Sequence, residues 1–253
     1  MPVLVSEAIV LHAFDYLESS RIVRLVTRDA GMRSALAKGA RKSRRRFGSG
    51  LDLFAQGTAQ LYTKVGRELD TLSGFEDVRT RTDLAADLSR FTGAERIAEI
   101  ALRFGDDGAD AELFDAIAGA FDALETSPPD DAREATLAGA WSIVGALGFG
   151  PSLTECVECG NALGADDSAV FNHAAGGALC ARCAALSSGG RTLPAAARLT
   201  LDAWTTGGRV DSLSDSDARA HQRLLREFLS YHLHDGRALR AYDLWESAAW
   251  TAA

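Results

Sequence analysis

Two groups of side chains in this sequence have the types and spacing to do chemistry. The first is a pair of C-x2-C knuckles, Cys156-Val157-Glu158-Cys159 and Cys180-Ala181-Arg182-Cys183, with 20 residues between Cys159 and Cys180. That is the spacing of a four-thiolate zinc site, in which each knuckle turns two sulfurs toward one point and the two together complete a tetrahedron. Gly160 follows the first knuckle, where the chain must turn tightly. Four thiolates saturate zinc and leave no position for water, so Cys156, Cys159, Cys180 and Cys183 are expected to hold a structural ion rather than a catalytic one. Few apolar residues surround them, mainly Leu163, Val170, Phe171 and Leu179, so the metal is expected to supply much of the local stability. Two local disulfides are the alternative, and a reducing compartment disfavours them. His173 is read as a solvated neighbour, not a fifth ligand.

The second group is a basic run, Lys38-Gly39-Ala40-Arg41-Lys42-Ser43-Arg44-Arg45-Arg46-Phe47, with six cations in the nine residues from Lys38 to Arg46. No acid occurs between Asp29 and Asp52, and Arg33 extends the patch. Arginine presents forked donors that match phosphate oxygens, which makes Lys38, Arg41, Lys42, Arg44, Arg45 and Arg46 candidates for nucleic-acid binding. The glycine and serine within the run suggest a mobile loop. A solvated surface loop with no ligand is the plainer reading of the same residues. Phe47 and Phe54 are either stacking aromatics or ordinary core.

Other chemistry is missing. The sequence has no G-x-x-x-x-G-K-[ST] phosphate loop, no H-E-x-x-H and no G-x-S-x-G. Gly48-Ser49-Gly50 lacks the third glycine and the following helix of a dinucleotide fingerprint. His221 and His232 share a helical stripe with Leu224, Leu225 and Phe228, so both are read as packing histidines. His232-Leu233-His234 has no accompanying carboxylate or thiol cluster to complete a metal site. With no nucleophile–base pair, no catalytic turnover is expected.

Elements must position these two groups. The chain has 253 residues, 47% hydrophobic and 25% charged, the profile of a globular protein of one to three domains. Its net charge of −8 is unevenly placed: residues 1–80 carry 13 Lys/Arg against 9 Asp/Glu, and residues 81–253 carry 14 against 26. Such asymmetry suits a partner that touches one part only. Val3–Leu11, Ser20–Thr27, Leu51–Val65 and Leu69–Val78 read as strands. Asp29-Ala30-Gly31 suits a three-residue hairpin with glycine in the left-handed region. About five short strands in 80 residues fit a small barrel.

Beyond residue 80 the period becomes helical: Leu84, Leu88, Phe91, Ala94, Ala98 and Leu102; then Leu113, Ile117, Phe121 and Leu124; then Leu137, Trp141, Val144 and Leu147. Pro194 opens a helix through Trp204, and Asp215–His234 forms another, closed by Gly236. Both periods vanish over 154–187, where all four cysteines lie. The apolar stretch from Leu137 to Phe149 is too short to span a bilayer and is expected to be a buried helix. The N-terminus lacks the basic region and cleavage site of a signal peptide, so a cytoplasmic protein with no membrane partner is expected.

In their order along the chain these motifs resemble the bacterial RecO family of recombination mediators. The residues that carry the resemblance are Glu7-Ala8-Ile9-Val10-Leu11, Asp15-Tyr16-Leu17-Glu18-Ser19, Ala35-Leu36-Ala37-Lys38-Gly39-Ala40-Arg41 and Arg46-Phe47-Gly48. Further along they are Leu147-Gly148-Phe149-Gly150-Pro151-Ser152-Leu153 before Cys156, and Gly176-Gly177-Ala178-Leu179 before Cys180. The span beyond Gly236 resembles the family weakly. The resemblance implies an α+β multidomain chain: an N-terminal OB-fold over 1–80, an α-helical domain over 81–253, and a zinc-ribbon-like insertion over 154–187. It implies binding of single- and double-stranded DNA, annealing of complementary strands, and a nucleoid-associated place in the cytoplasm. It further implies work with RecR in loading RecA onto DNA coated by single-strand-binding protein, and contact with the C-terminal tail of that protein. An RNA-binding module or a protein scaffold, with the same barrel and structural zinc, is the competing expectation.

Overall fold

The computed structural model of the protein describes residues 2–47, 51–63, 66, 68–208, 213–232 and 240–247. The chain forms two compact units, residues 1–126 and 127–253.

The first unit opens with five strands: β1 (Val3–Tyr16), β2 (Ser20–Thr27), β3 (Gly31–Ala37), β4 (Gln56–Tyr62) and β5 (Asp70–Arg79). They close into a barrel of order β1-β2-β3-β5-β4, with β3 and β5 parallel and the other pairs antiparallel. This is an OB-like barrel. Closure pairs both edges and leaves no open strand as a template for aggregation. The interior of so small a barrel admits modest side chains, and it is filled by Ala8, Val10, Val23, Leu25, Ala35, Ala37, Ala59, Leu61 and Leu72. The turn between β2 and β3 has the expected length but lies one residue earlier, over 28–30, and Gly31, at φ +60°, opens β3 opposite Thr27. A Cβ there would also strike the Gly108 carbonyl at 2.1 Å, so glycine is required twice over.

One irregularity in β1 decides what the barrel shows to solvent. Val10 pairs with Leu25 and His12 with Arg24, leaving Leu11 as an extra residue in the strand. A bulge of one residue reverses the alternation of faces. Before it Ala8 and Val10 point inward; after it Ala13 packs against the core, and His12, Phe14 and Tyr16 turn outward.

Three helices complete this unit: α2 (Thr82–Ala86), α3 (Leu88–Phe104) and α4 (Ala111–Thr126), after a one-turn helix α1 (Arg44–Phe47) between β3 and β4. The switch from strand to helix near residue 80 therefore falls inside a compact unit. Asp87 caps α3 by accepting from Arg90 N at 2.9 Å. The expected stripe on α4 is buried in full, but on α3 Leu88 is 74% exposed. The buried face of α3 runs instead through Ala94, Ile97, Ala98, Ile100 and Ala101. Arginines just beyond the ends of β2 and β5 tie α4 down: Arg28 pairs with Asp115 at 2.6 Å, and buried Arg81 pairs with Asp122 at 2.7 Å while donating to the Phe54 carbonyl at 2.9 Å.

The second unit packs α5 (Ala132–Val144), α7 (Ala195–Thr205), α8 (Asp215–His232) and α9 (Arg240–Ser247) with a three-stranded sheet, β6 (Ala169–Asn172), β7 (Gly177–Leu179) and β8 (Arg191–Leu193), of order β7-β6-β8. A short helix, α6 (Ala181–Ala184), lies between β7 and β8. Trp141 meets Phe228 at 5.1 Å between ring centroids, and Trp204 meets His221 at 4.9 Å. The buried helix expected through Phe149 ends at Val144. A wider turn over Gly145–Phe149 follows, with Gly148 at φ +78°, and Phe149 is 45% exposed. Helix α8 is described as far as His232; His234 and the expected stop at Gly236 lie outside the described residues, as does Gly48 in the first unit. No described helix is long and apolar enough to cross a membrane.

Candidate metal centre and nucleic-acid interface

The four cysteines converge. Their Sγ atoms all lie within 4.8 Å of one another, and Cys159 and Cys180 are 3.9 Å apart. A tetrahedron with Zn–S arms of about 2.3 Å has edges of about 3.8 Å, so the geometry suits one soft divalent ion. The first knuckle is built by Cys156 N donating to Asn161 O at 2.9 Å and Gly160 N donating to Cys156 O at 2.8 Å. Gly160, at φ +68°, makes the turn expected of it. The second knuckle starts α6, with Cys180 at the N-cap and Ala184 N donating to Cys180 O at 2.9 Å. Cys180 N also donates to Cys156 Sγ at 3.3 Å, linking the two.

Electrostatics set the thiols of the cluster apart, and Arg182 hydrogen-bonds to two of them, Cys159 and Cys183. Burial pushes the Cys156 thiol up, but backbone N–H donors from Cys180, Cys159 and Glu158 outweigh it and bring the group down to about 6. The hydrogen bond of Cys183 to Cys159, with burial next, pushes Cys183 up to about 12. Four adjacent thiols cannot all ionise unless a positive charge sits among them. The residues present therefore fit a structural metal.

The rest of the unit holds this segment in place. Arg198 of α7, 1% exposed, donates to the carbonyls of Leu153 at 2.8 Å and Asp167 at 3.3 Å, and to that of Gly164. Phe171 of β6 is fully buried and reaches Phe228 of α8 at 6.2 Å. His173 is not the solvated residue expected. Its side chain is 18% exposed, 3.4 Å from Glu227 and 5.1 Å from the Phe171 ring, because the end of β6 faces α8. His221 and His232 do lie on the α8 stripe, and burial lowers His221 to about 4. Arg198 escaped the sequence reading, although its position three residues before Leu201 and six before Trp204 puts it on the buried face of α7.

The basic run is a turn and one helical turn rather than an irregular loop. Lys38 leaves the end of β3, Arg41 N donates to Ser19 O at 3.1 Å, and Lys42 N and Ser43 N both donate to Gly39 O. Arg44 opens α1, and its side chain lies outside the described residues. Two apolar anchors bracket the run: Ala40 and Phe47 are buried in the barrel core at 3% and 0% exposure. Burying Phe47 contributes about 2–3 kcal/mol to holding α1 in place. Phe54 is also core, 5.0 Å from Phe121, so neither phenylalanine is free to stack on a ligand.

Between those anchors Lys38, Arg41, Lys42, Arg45 and Arg46 are exposed. Arg46 lies 4.9 Å over the Phe47 ring and donates to Ser73 O at 3.1 Å. Arg41 is 3.5 Å from Asp15. Among the described residues no carboxylate pairs with Lys38, Lys42 or Arg45. Elsewhere in the unit, residues 81–126 hold 11 acids against 4 bases. The first unit is thus not basic as a whole, and its cations are concentrated in this turn.

Comparison with known proteins covers nearly the whole chain. The family model described as Recombination protein O N terminal matches residues 1–81, and that described as Recombination protein O C terminal matches residues 85–240. A DNA repair protein RecO from Anaeromyxobacter sp. (strain K) is 36% identical over 239 residues, 92% of each chain. The protein of that name from Anaeromyxobacter dehalogenans (strain 2CP-C) is 38% identical over 241 residues, again 92% of each. One from Symbiobacterium thermophilum is 33% identical over 239 residues, 94% of this chain and 90% of the relative.

Proposed function

The chain belongs to the recombination protein O family of DNA repair proteins, and from that premise we propose that it is a non-enzymatic mediator that binds single- and double-stranded DNA and anneals complementary strands. In this reading it works in the cytoplasm at the nucleoid. With RecR it helps load RecA onto DNA coated by single-strand-binding protein, whose C-terminal tail it also contacts. Residues 1–80 serve as the DNA-binding module, and residues 81–253 as the helical module with 154–187 inserted.

The observation that carries this reading is the exposed cationic turn pinned to the barrel by Ala40 and Phe47. Annealing brings two polyanions together without nucleotide hydrolysis, so the protein must screen phosphates while leaving base edges free. Arg41, Lys42, Arg44, Arg45 and Arg46 would contact backbone phosphates and displace counterions without reading sequence. Fixing the turn in advance lowers the entropy lost when these side chains meet the strand.

Cys156, Cys159, Cys180 and Cys183 would hold one Zn2+, which supplies a four-way cross-link and no open coordination position. Arg198 and the Phe171–Phe228 contact would then fix the ribbon to α7 and α8.

Fluorescence anisotropy of labelled single-stranded DNA over a salt series tests the reading. Five phosphate contacts give a log–log slope of about −3.5 on a single strand. The combined Arg44→Glu, Arg45→Glu, Arg46→Glu variant should lose binding, and annealing of complementary oligonucleotides with it. Full binding by the folded triple variant would remove the turn from the interface. Preference for RNA over DNA of equal length would favour an RNA-binding module instead.

A further inference from the structure

The barrel surface beside the cationic turn carries a second feature that phosphate binding does not use. His12, Phe14 and Tyr16 stand on one face of β1, with Phe14 45% and Tyr16 42% exposed. Leu17 follows at the tip of the β1–β2 hairpin, 77% exposed and at φ +54°. The His12 and Phe14 rings are 5.7 Å apart between centroids. Phe14 pairs across to Ile22, and Ile22 to Leu36 on β3, both half-buried, so the row rests on an apolar floor.

The opposite end of the same sheet face is closed. Ile9, Val26 and Met32 are buried there, and Met32 N donates to Asp106 O at 2.7 Å in the segment after α3. The open end is the one next to the cations. Arg41 N bonds Ser19 O, and Gly39 N bonds Ser20 Oγ at 3.4 Å, so the basic turn is fastened to the hairpin that ends the aromatic row. Two acids lie at this end: Asp15 is already paired with Arg21 at 3.0 Å and with Arg41, and Glu18 stands exposed in the hairpin turn.

We propose that His12, Phe14 and Tyr16 form a track on which the bases of a single strand stack while the adjoining turn holds its phosphates. This rests on the DNA-binding reading above and adds strand selectivity to it. Alternate residues of a strand are about 6.6–6.8 Å apart, twice the roughly 3.4 Å base repeat of a duplex. A continuous base stack cannot seat a base on each ring, and a duplex hides its base faces. An extended single strand can do so, because every unstacked base offers a π-face to an aromatic side chain. The bulge at Leu11 is what brings the three rings to the surface, a use of bulges known at binding sites.

The test compares the full chain with Phe14→Ala/Tyr16→Ala and with Lys42→Glu/Arg45→Glu, using a fluorescein-labelled dT oligomer and a duplex of equal length. The aromatic variant should lose single-strand affinity by about 10- to 100-fold and keep duplex affinity within about twofold. The charge variant should lose both. In Phe14→Trp/Tyr16→Phe single-strand affinity should persist, and the introduced indole should be quenched by the dT oligomer but not by the duplex. Unchanged single-strand affinity in the aromatic variant, equal loss on both DNAs with unaltered circular dichroism, or an unquenched indole would each overturn the stacking track while leaving the phosphate turn intact. If the alanine variant fails to fold, the quenching result decides. Binding of neither DNA by the wild type would overturn the DNA reading itself.

Discussion

The cationic turn and the four-cysteine ribbon are both short segments that need outside help to hold a shape, and the help is of opposite kinds. The turn is fixed by hydrocarbon: Ala40 and Phe47 enter the barrel core on either side of its charges. The ribbon buries Phe171 as well, but its knuckles and loops are fixed by polar and ionic means, namely four thiols drawn to one point and a buried arginine gathering three carbonyls. Hydrocarbon anchors leave the charged groups between them exposed and available. Thiolate and guanidinium anchors consume the reactive groups themselves. A segment that must touch a ligand is better held the first way, and one that must only keep its form can be held the second.

Metal removal should separate the two regions most widely. Small zinc modules are held by about 10–16 kcal/mol of apparent metal binding at neutral pH. Chelation should therefore erase hydrogen-exchange protection in β6, β7 and the knuckles while leaving barrel amides protected, and elemental analysis before treatment should give one zinc per chain. Barrel amides that exchange as fast as the ribbon after chelation would break the comparison. Phe47→Ala is the converse test. It should cost about 3–5 kcal/mol in denaturant unfolding and weaken DNA binding, with zinc content unchanged.

Arg198→Leu ranks next. It leaves the buried carbonyl of Leu153 and the part-buried contact to Gly164 without their donor, for a loss of about 3 kcal/mol in the second unit. The variant should also release zinc to a chelator faster, and an unchanged release rate would show that the thiols organise the knuckles unaided.

Acid should act on the second unit through His221. Burial among α7 and α8 lowers the group to about 4, against an ordinary value of about 6.5. A depressed histidine contributes its full stability above about pH 6.5 and loses it as pH falls through about 4, up to about 3 kcal/mol in all. His221→Leu should flatten that part of the stability–pH curve. The smallest effect belongs to Lys42→Gln/Arg45→Gln, which should leave stability within about 0.5 kcal/mol while the salt slope for DNA falls by about 1.4.

Much of the site was legible because its signals are local. Cysteine spacing names a four-thiolate cluster whatever surrounds it, and a run of six cations stands out in any context. The stripe on α4 was legible for a related reason, since a helix repeats its buried face every three to four residues. Readings that depended on a distant partner fared worse. Leu88 satisfied the α3 period but lies at the first position of the helix, where nothing covers it. Phe47 and Phe54 were ambiguous until the barrel and α4 closed over them. His173 looked solvated because Phe228 and Glu227 lie more than 50 residues further along the chain.

By itself the sequence determined which residues could bind metal or phosphate, roughly where strands give way to helices, and the family to which these belong, because composition, spacing and short-range period are properties of neighbours. Tertiary structure alone decided the parity of β1, where one extra residue at Leu11 sends Phe14 and Tyr16 outward and Ala13 inward. It alone decided that the cations stand on a fixed turn and that Arg198 bridges three carbonyls. Each of these outcomes depends on a pairing register or a packing contact between residues far apart in the chain, and no local pattern encodes either.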